Sequence, residues 1–490
     1  MMPLFQAILA PIIGAPIVYL LEKRLRLKVG WIAFAILLYS LSMLSMVAVR
    51  FLREGAPIVE EFAWAPLVEL YFGFRADGLS LPVVLIIAIL STVTAIYSMP
   101  YMEHKTGWGV YFALYLLYAA GMMGTVLATN LIEFYLFWEL MLVPSYFLIA
   151  EWGYGARERV SFKYFIFTHV GALSLLAGIL SLYVITGTFQ LYEIPIKLRA
   201  ANISHYVLFW IMVALLIGMF VKMAVWPLHT WLPDAHAEAP TPISVLLSGV
   251  MIECGVYAFA RFVPLFFPEL LLENSHSLMI LAVITMFYGG LMALVQTDIK
   301  RLLAYSSISQ IGYMLFGLSS ATALGLIGSI YHIVSHACAK GLLFACAGAI
   351  MHQTEGLRDM RRMGGLAKRM PCTALAFLVG VFSLAGMPTL SGFISEFMIF
   401  LGGFQGVGYT QRVAVVVIAM LGAALTAAYG LWALRRIFFG QLPDYLKEVK
   451  EAPVTMVAPI MALAILSFIF GLIPPLILNF LSAWAEALGL

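Results

Sequence analysis

Ionisable side chains within long apolar runs are the residues of this sequence that could do chemistry. The run YHIVSHACAKGLLF places His332, His336 and Lys340 at four-residue intervals, so all three would lie along one helix face. Titratable groups spaced about 6 Å apart suit a proton relay bridged by water, and histidine titrates near neutral pH. Two alternatives stay open: His332 and His336 could be ligands of a metal ion or of a haem. No third ligand lies nearby in sequence.

A carboxyl group and an ammonium group lie equally deep in two other runs. Glu139 is in the middle of LIEFYLFWELMLVPSYFL, and Lys222 precedes Pro227 in FVKMAVWPLHTW. Opposite charges attract strongly in a medium of low dielectric constant, while the loss of water disfavours both charged forms. Such a pair could take up and release a proton at neutral pH. We therefore expect Glu139 to be the partner of Lys222.

Eight ionisable groups lie this deep in apolar runs. An ionised side chain at the bilayer centre costs from roughly 2.5 to more than 10 kcal/mol, so such residues usually face a bundle interior or a wet cavity. The set predicts an ion pathway, and the alternative is a group of neutral or paired side chains that hold helices together. The eight residues are Glu139, His169, Lys222, Glu253, His332, His336, Lys340 and Glu396.

Two segments interrupt apolar runs with prolines and small residues: AVWPLHTWLPDAHAEAPTPIS and SLAGMPTLSGFISEF. A broken helix is tolerated at membrane depth where its freed backbone groups line a cavity. Lys222 precedes the first break and Glu396 follows the second, in spans of opposite direction, as an inverted repeat requires. Beyond the first break, at the inside mouth, four ionisable side chains could form a proton-collecting funnel or belong to a solvated loop. They are His229, Asp234, His236 and Glu238.

Transmembrane helices are the elements that must position these residues. Of 490 residues, 63% are hydrophobic and 11% charged, and apolar runs of about twenty residues recur from end to end. Only helices and closed barrels satisfy their backbone in a bilayer, and the runs lack the alternation of barrel strands. The sequence predicts an all-α polytopic membrane protein. The fourteen predicted spans are 3–21, 29–50, 78–98, 110–129, 131–150, 161–184, 206–226, 241–263, 277–296, 302–319, 325–350, 372–400, 412–434 and 454–482.

The distribution of Lys and Arg predicts how the spans are oriented. With both termini outside, the inside segments hold nineteen basic residues and the outside segments seven, which fits the positive-inside rule. The remaining two of the 28 are Lys222 and Lys340, both within spans. This predicts a multi-pass protein of the cell (inner or cytoplasmic) membrane that contacts lipids and has no nucleic-acid partner. The four cysteines lack CxxC or zinc spacing, which favours packing roles.

Four segments resemble the antiporter-like, proton-translocating subunits of complex I, of Mrp antiporters and of membrane-bound hydrogenases. The given sequence ends near its fourteenth predicted span, before the place where the L-type subunit has its long lateral helix, so we expect it to be similar to the M-type or D-type subunit. The resemblance implies three helices in 1–109, inverted five-helix repeats in 110–265 and 277–440, and a last helix in 441–490. The segments are FWELMLVPSYFLI, FVKMAVWPLHTWLPDAHAEAPTPISVLLSGV, DIKRLLAYSSISQIGYMLFG and HACAKGLLFACAGAIMHQTEGLRDMRRMGGL.

The resemblance also implies roles by position. Glu139 and Lys222 match the pair that switches between contact and separation, His332 and His336 fall in the polar eleventh span, and Glu396 matches the exit residue. One departure is Glu253, which stands where many family members keep a lysine. Lys340 is then the candidate for the missing positive charge.

The expected function is to move protons, or to exchange them for sodium ions, within a redox-driven complex related to complex I. The chain has no cofactor motif, so iron-sulfur clusters, a NiFe centre, flavin or other redox centres are expected in partner subunits. Those partners are the other membrane subunits of a complex I-like or Mrp-like assembly. Glu253 and the scarcity of Asn and Gln favour an archaeal membrane-bound hydrogenase or sulfane sulfur reductase. The alternatives are a freestanding secondary transporter and a structural subunit with a vestigial channel.

Overall fold

The structure, a computed structural model, describes residues 2–65, 70–406 and 410–487. Within these ranges, eleven helical segments are long and apolar enough to cross a membrane. One of them, Pro3–Glu54, spans 52 residues and contains two successive helices. The chain is therefore a mostly helical, multi-pass membrane protein.

Most helices follow the predicted runs, with ends that differ by a few residues, but the helix Pro268–Leu294 begins nine residues before its predicted span, 277–296, and the predicted span 454–482 is divided into two helices. Their bounds are α1 (Pro3–Leu25), α2 (Val29–Glu54), α3 (Ser80–Tyr101), α4 (Trp108–Leu127), α5 (Leu131–Trp152), α6 (Arg157–Thr186), α7 (Ile194–Ala200), α8 (His205–Met223), α9 (Leu232–Glu238), α10 (Thr241–Leu246), α11 (Glu253–Phe266), α12 (Pro268–Leu294), α13 (Ile299–Ser319), α14 (Ala323–Gln353), α15 (Pro371–Leu384), α16 (Ser391–Gln405), α17 (Thr410–Phe438), α18 (Val454–Leu472) and α19 (Pro475–Ala487).

Two helical segments form the centre of the bundle. The most apolar 18-residue stretch is wholly buried both in Thr241–Phe266, which contains α10 and α11, and in α14. In α17 only a third of such a stretch is buried, so most of that helix faces outward. Between α10 and α11 the backbone forms a π-helical turn at Leu247–Met251. Such turns are rare and often mark functional sites, and this one directly precedes Glu253.

The first helix break lies between α8 and α9. Ala224 ends α8 in the left-handed conformation, with φ of 58°, and α9 resumes at Leu232. The freed backbone groups find other partners, because the Trp231 indole donates to the Val221 carbonyl at 2.9 Å and the Trp226 amide donates to the Thr285 hydroxyl at 3.3 Å. The break is therefore a defined part of the fold with hydrogen-bonded backbone groups, and it is not a frayed helix end.

The second break lies between α15 and α16. Gly386 has φ of 66°, in the left-handed region that favours glycine. A side chain there would also meet Glu396, since an added Cβ would lie 2.6 Å from its Oε2. Gly386 therefore lets the chain turn and brings the Glu396 carboxyl against the break.

A β-hairpin that the sequence analysis missed connects α2 to α3. Strand β1 (Ile58–Ala65) pairs antiparallel with β2 (Leu70–Ala76). Directly after β2, the Asp77 carboxylate accepts hydrogen bonds from both terminal nitrogens of Arg261, at 2.7 and 2.8 Å. Burial alone would raise the pKa of the Asp77 carboxyl, but the Arg261 charge and its hydrogen bonds hold it well below its usual range. This ion pair fastens the hairpin and α3 to α11.

Candidate functional site

The first group of ionisable residues within the helices is the Glu139 cluster, formed by the part-exposed Glu139 and His169 and the buried Lys222. Glu139 lies on α5, His169 on α6 and Lys222 on α8. Glu139 Oε2 is 3.2 Å from His169 Nδ1, and the imidazole ring stacks on Phe165 with ring centroids 5.5 Å apart. The described residues show no direct contact between Glu139 and Lys222 in this conformation: Glu139 Oε2 contacts His169, while Glu139 Oε1 and Lys222 Nζ have no hydrogen-bond partner.

The Lys222 side chain is buried without a hydrogen bond to any described residue. Its side chain is 2% exposed, and no hydrogen-bond acceptor among the described residues reaches Nζ. The centroid of the Trp138 ring lies 5.1 Å from Nζ. A cation–π contact replaces only part of the lost hydration, so Lys222 is poised to change partner or protonation state.

The second group is the Glu253 cluster, formed by Glu253, His336 and His332. Glu253 of α11 contacts His336 Nδ1 of α14, and both side chains are fully buried. The rings of His336 and His332 have centroids 6.2 Å apart, one helical turn along α14. Within the described ranges, Glu253 Oε2 and His336 Nε2 have no partner, so each side of the pair has a free polar atom.

The Glu253 cluster continues toward the second helix break. His332 Nδ1 lies 2.8 Å from the Ser395 hydroxyl, and His332 Nε2 lies 2.8 Å from the Gln310 side-chain oxygen. Glu396 follows Ser395 on α16, is 5% exposed, and its buried Oε1 has no partner in the described part of the chain. The structure thus brings three predicted residues, Glu253, His336 and His332, into one chain of contacts that ends beside a fourth, Glu396.

Lys340 lies one turn beyond His336 on α14, but its side chain contacts other residues than the Glu253 cluster. Its ammonium group donates to the Leu303 carbonyl at 3.0 Å and also contacts the Ser306 hydroxyl, both on α13. Neutral oxygens of one helix therefore hold Lys340. It does not form an ion pair with Glu253, whose partner is His336.

The four residues predicted at the inside mouth have separate surroundings. Asp234 forms ion pairs with Lys163 at 2.8 Å and with Arg301 at 3.2 Å. His236 is fully buried and stacks on Phe344, and neither ring nitrogen has a partner within the described residues. His229 lies beside the Tyr288 ring. Glu238 lies beside the turn at Gly155.

Sequence reasoning missed Lys300 as a buried group. It was counted among the inside loops, but α13 begins at Ile299 and the Lys300 side chain is fully buried. Its ammonium group donates to the Ala239 carbonyl at the end of α9. The signal was present in the sequence, because Asp298 before the run is a preferred N-cap residue, and it does accept from the Lys300 and Arg301 amides.

The described residues offer no cluster of three or more His, Cys, Asp or Glu side chains that could hold a metal ion. The two histidines of α14 instead contact a carboxylate, an amide and a hydroxyl. The fold and the site of the described residues together define the class of protein. It is a polytopic membrane protein with ionisable groups buried between interrupted helices.

Comparison with known proteins identifies the family. Residues 128–422 match the family described as "NADH:quinone oxidoreductase/Mrp antiporter, TM", and residues 64–112 match "NADH-Ubiquinone oxidoreductase (complex I), chain 5 N-terminus". The F(420)H(2) dehydrogenase subunit M of Methanosarcina mazei is 33% identical over 440 residues, which cover 88% of this chain and 86% of that protein. NADH-quinone oxidoreductase subunit M of Rhodobacter capsulatus is 32% identical over 463 residues, covering 91% and 88%. The chain belongs to the NADH:quinone oxidoreductase/Mrp antiporter family.

Solved structures show the same fold. A chain of the membrane-bound sulfane sulfur reductase, an archaeal respiratory membrane complex, superposes with a TM-score of 0.89 at 30% identity, covering 98% of this chain and 77% of that one. A chain of respiratory complex I from Thermus thermophilus superposes with a TM-score of 0.88 at 26% identity, covering 99% of both.

Proposed function

We propose that this chain is an ion-translocating subunit of a multisubunit, redox-driven membrane complex related to complex I. It moves protons, alone or in exchange for sodium ions. The observation that carries the proposal is the complete burial of four titratable side chains on the two central helical segments: Glu253, His332, His336 and Lys340. Groups this costly to bury usually serve an ion pathway.

The proposed path begins at the Glu139 cluster. A proton on Lys222 is stabilised when the Glu139 carboxylate is near and destabilised when the carboxylate turns away, so movement of Glu139 drives transfer. The proton passes to the Glu253 cluster and along His336 and His332 toward Glu396. Lys340 and the inside-mouth residues supply protons or balance charge, and water fills the gaps between groups that do not touch.

The same proposal includes the topology. Fourteen spans would form two inverted five-helix repeats, in 110–265 and 277–440, flanked by 1–109 and 441–490. The α8–α9 and α15–α16 breaks support it, since each interrupts one repeat beside an ionisable group, Lys222 or Glu396. The excess of basic residues in alternate connections supports a cell-membrane location with both termini outside. Met1 and residues 488–490 lie outside the described ranges.

The parent assembly supplies the redox chemistry. The named relatives are subunits of F420H2 dehydrogenase and of NADH-quinone oxidoreductase, and the 30% identity to a chain of an archaeal sulfane sulfur reductase supports an assembly of that kind. We place the iron-sulfur, NiFe or flavin centres in partner subunits. This chain would couple to them through charge or conformational changes in its membrane neighbours.

The proposal is tested in the complex purified with its own partners and reconstituted into vesicles. Lys222→Ala and Glu139→Ala should each lower the number of protons pumped per electron pair, by the share that this chain contributes. Lys447→Ala is the matched control, because Lys447 pairs with the exposed Asp444 at 2.7 Å, away from both clusters. Full pumping by correctly assembled Lys222→Ala and Glu139→Ala complexes would refute the proposal.

The rival hypothesis, a freestanding secondary transporter, draws on the same helix breaks. It requires that the chain, reconstituted alone, accumulate a solute at the expense of a proton or sodium gradient. The proposal instead expects coupled transport only together with the redox partners.

A further inference from the structure

Glu139 has a second basic neighbour, His169, that the proposed path does not use. His169 Nδ1 lies 3.2 Å from Glu139 Oε2. The imidazole ring is nearly parallel to the Phe165 ring, at an interplanar angle of 7°, which fixes its orientation. The other candidate partner, Lys222, has no hydrogen bond to any described residue. In this conformation one oxygen of the Glu139 carboxylate contacts His169, and Lys222 has no hydrogen bond to a described residue.

His169 and Lys222 lie at the same level of the bundle. Gly171 packs directly against Val221, so the neighbouring turns of α6 and α8 are in contact there. On the helices packed against α6, the ionisable groups at this level include Glu139 of α5 and Lys222 of α8, and Tyr135 of α5 lies close to Glu139. The other ion pair of α6, Lys163 with Asp234, lies nearly two turns away along the helix.

We propose that His169 is the alternative partner of Glu139, so that the carboxylate alternates between Lys222 and His169. This inference rests on the proposed function and adds a positioning residue to it. In the state shown by the structure, His169 Nδ1 carries a proton and donates its hydrogen bond to Glu139 Oε2. Lys222, without its counter-charge, passes one proton from Nζ to the next carrier and remains as a neutral amine.

The return half of the cycle follows from the same contacts. When Lys222 takes up a proton again, its ammonium group competes with the imidazole for the carboxylate. Glu139 then leaves His169 and pairs with Lys222. Without His169, the carboxylate loses this alternative hydrogen-bond donor, so it stays with Lys222 and holds the proton there.

The test uses the native complex in vesicles with His169→Phe, His169→Gln and Lys222→Ala. Phenylalanine fills the space without a hydrogen bond, whereas glutamine donates a neutral one. His205→Gln is the matched control, because His205 forms a similar pair with Glu273, at 3.1 Å, on an exposed surface. The readouts are protons pumped per electron pair and assembly of the complex.

We expect His169→Phe to lose the same share of pumping as Lys222→Ala, and His169→Gln to retain part of it.

Full pumping in His169→Phe, or equal losses in His169→Phe and His169→Gln, would each overturn the inference. If Lys222→Ala loses pumping while His169→Phe keeps it, only the inference fails. If Lys222→Ala itself keeps full pumping, the proposed function fails as well.

Discussion

The buried Asp77–Arg261 pair allows a quantitative prediction about what holds the site in place. Arg261 donates two hydrogen bonds to the carboxylate and two more to the hydroxyls of Tyr257 and Tyr192. Asp77 also accepts from the Ser80 amide at the start of α3. Removing one partner of a buried pair leaves an uncompensated charge and costs about 3–5 kcal/mol. Arg261→Met should therefore lower the free energy of unfolding by about that amount.

The assay is unfolding of the purified protein in detergent by a denaturant, followed by loss of helical circular dichroism. Arg75→Met is the control, since Arg75 lies 3.3 Å from the same carboxylate but is part-exposed, and its loss should cost less than about 1 kcal/mol. The double variant Asp77→Asn with Arg261→Met should recover most of the loss, because no buried charge remains.

The pH dependence has a definite sign. Because the pKa of the Asp77 carboxyl is lowered in the folded protein, the contribution of the pair is fully present above the ordinary aspartate pKa of about 3.9 and is lost as the pH falls through the lower folded value. The gap between wild type and Arg261→Met should thus be complete at neutral pH and shrink in strong acid. A gap below about 1 kcal/mol at pH 7, or a double variant as unstable as Arg261→Met, would refute the reasoning.

Three further predictions concern the lysines and the histidine chain. Lys340→Met should slow proton transfer in the reconstituted complex more than Ser306→Ala does, because the serine variant keeps the Leu303 carbonyl as an acceptor; equal effects would contradict this. His332→Phe should break the link to Ser395 and lower the pumped share without lowering electron transfer, and an unchanged proton-to-electron ratio would count against it. Lys300→Met should free the end of α9, which faster amide hydrogen exchange in 232–239 would reveal and unchanged exchange would disprove.

Composition was enough to predict the class and most of the helices. A bilayer demands about twenty apolar residues per span, so the boundaries of runs such as 29–50 are set by a strong local signal that α2 confirms. The family resemblance also followed from the sequence, because its motifs surround the ionisable residues. The roles assigned to those residues stay predictions.

The partners of the ionisable residues could not be predicted. Which face of α5 meets α6 or α8 depends on helix rotation, so the sequence could not decide between His169 and Lys222 as the partner of Glu139. The contact between Glu253 and His336 joins residues 83 apart in sequence. The hairpin was missed because its strands, of eight and seven residues, are far shorter than a membrane span, so the segment was assigned to a connection between two long apolar runs.

The central claim is that a proton occupies the buried Glu253 carboxyl transiently during turnover. Infrared difference spectroscopy of the reconstituted complex, triggered by its electron donor, measures this directly through the carboxyl C=O stretching band. We predict a band that changes during turnover, shifts in D2O and is absent from Glu253→Gln. No turnover-dependent carboxyl band, or a band that persists unchanged in Glu253→Gln, would contradict the account.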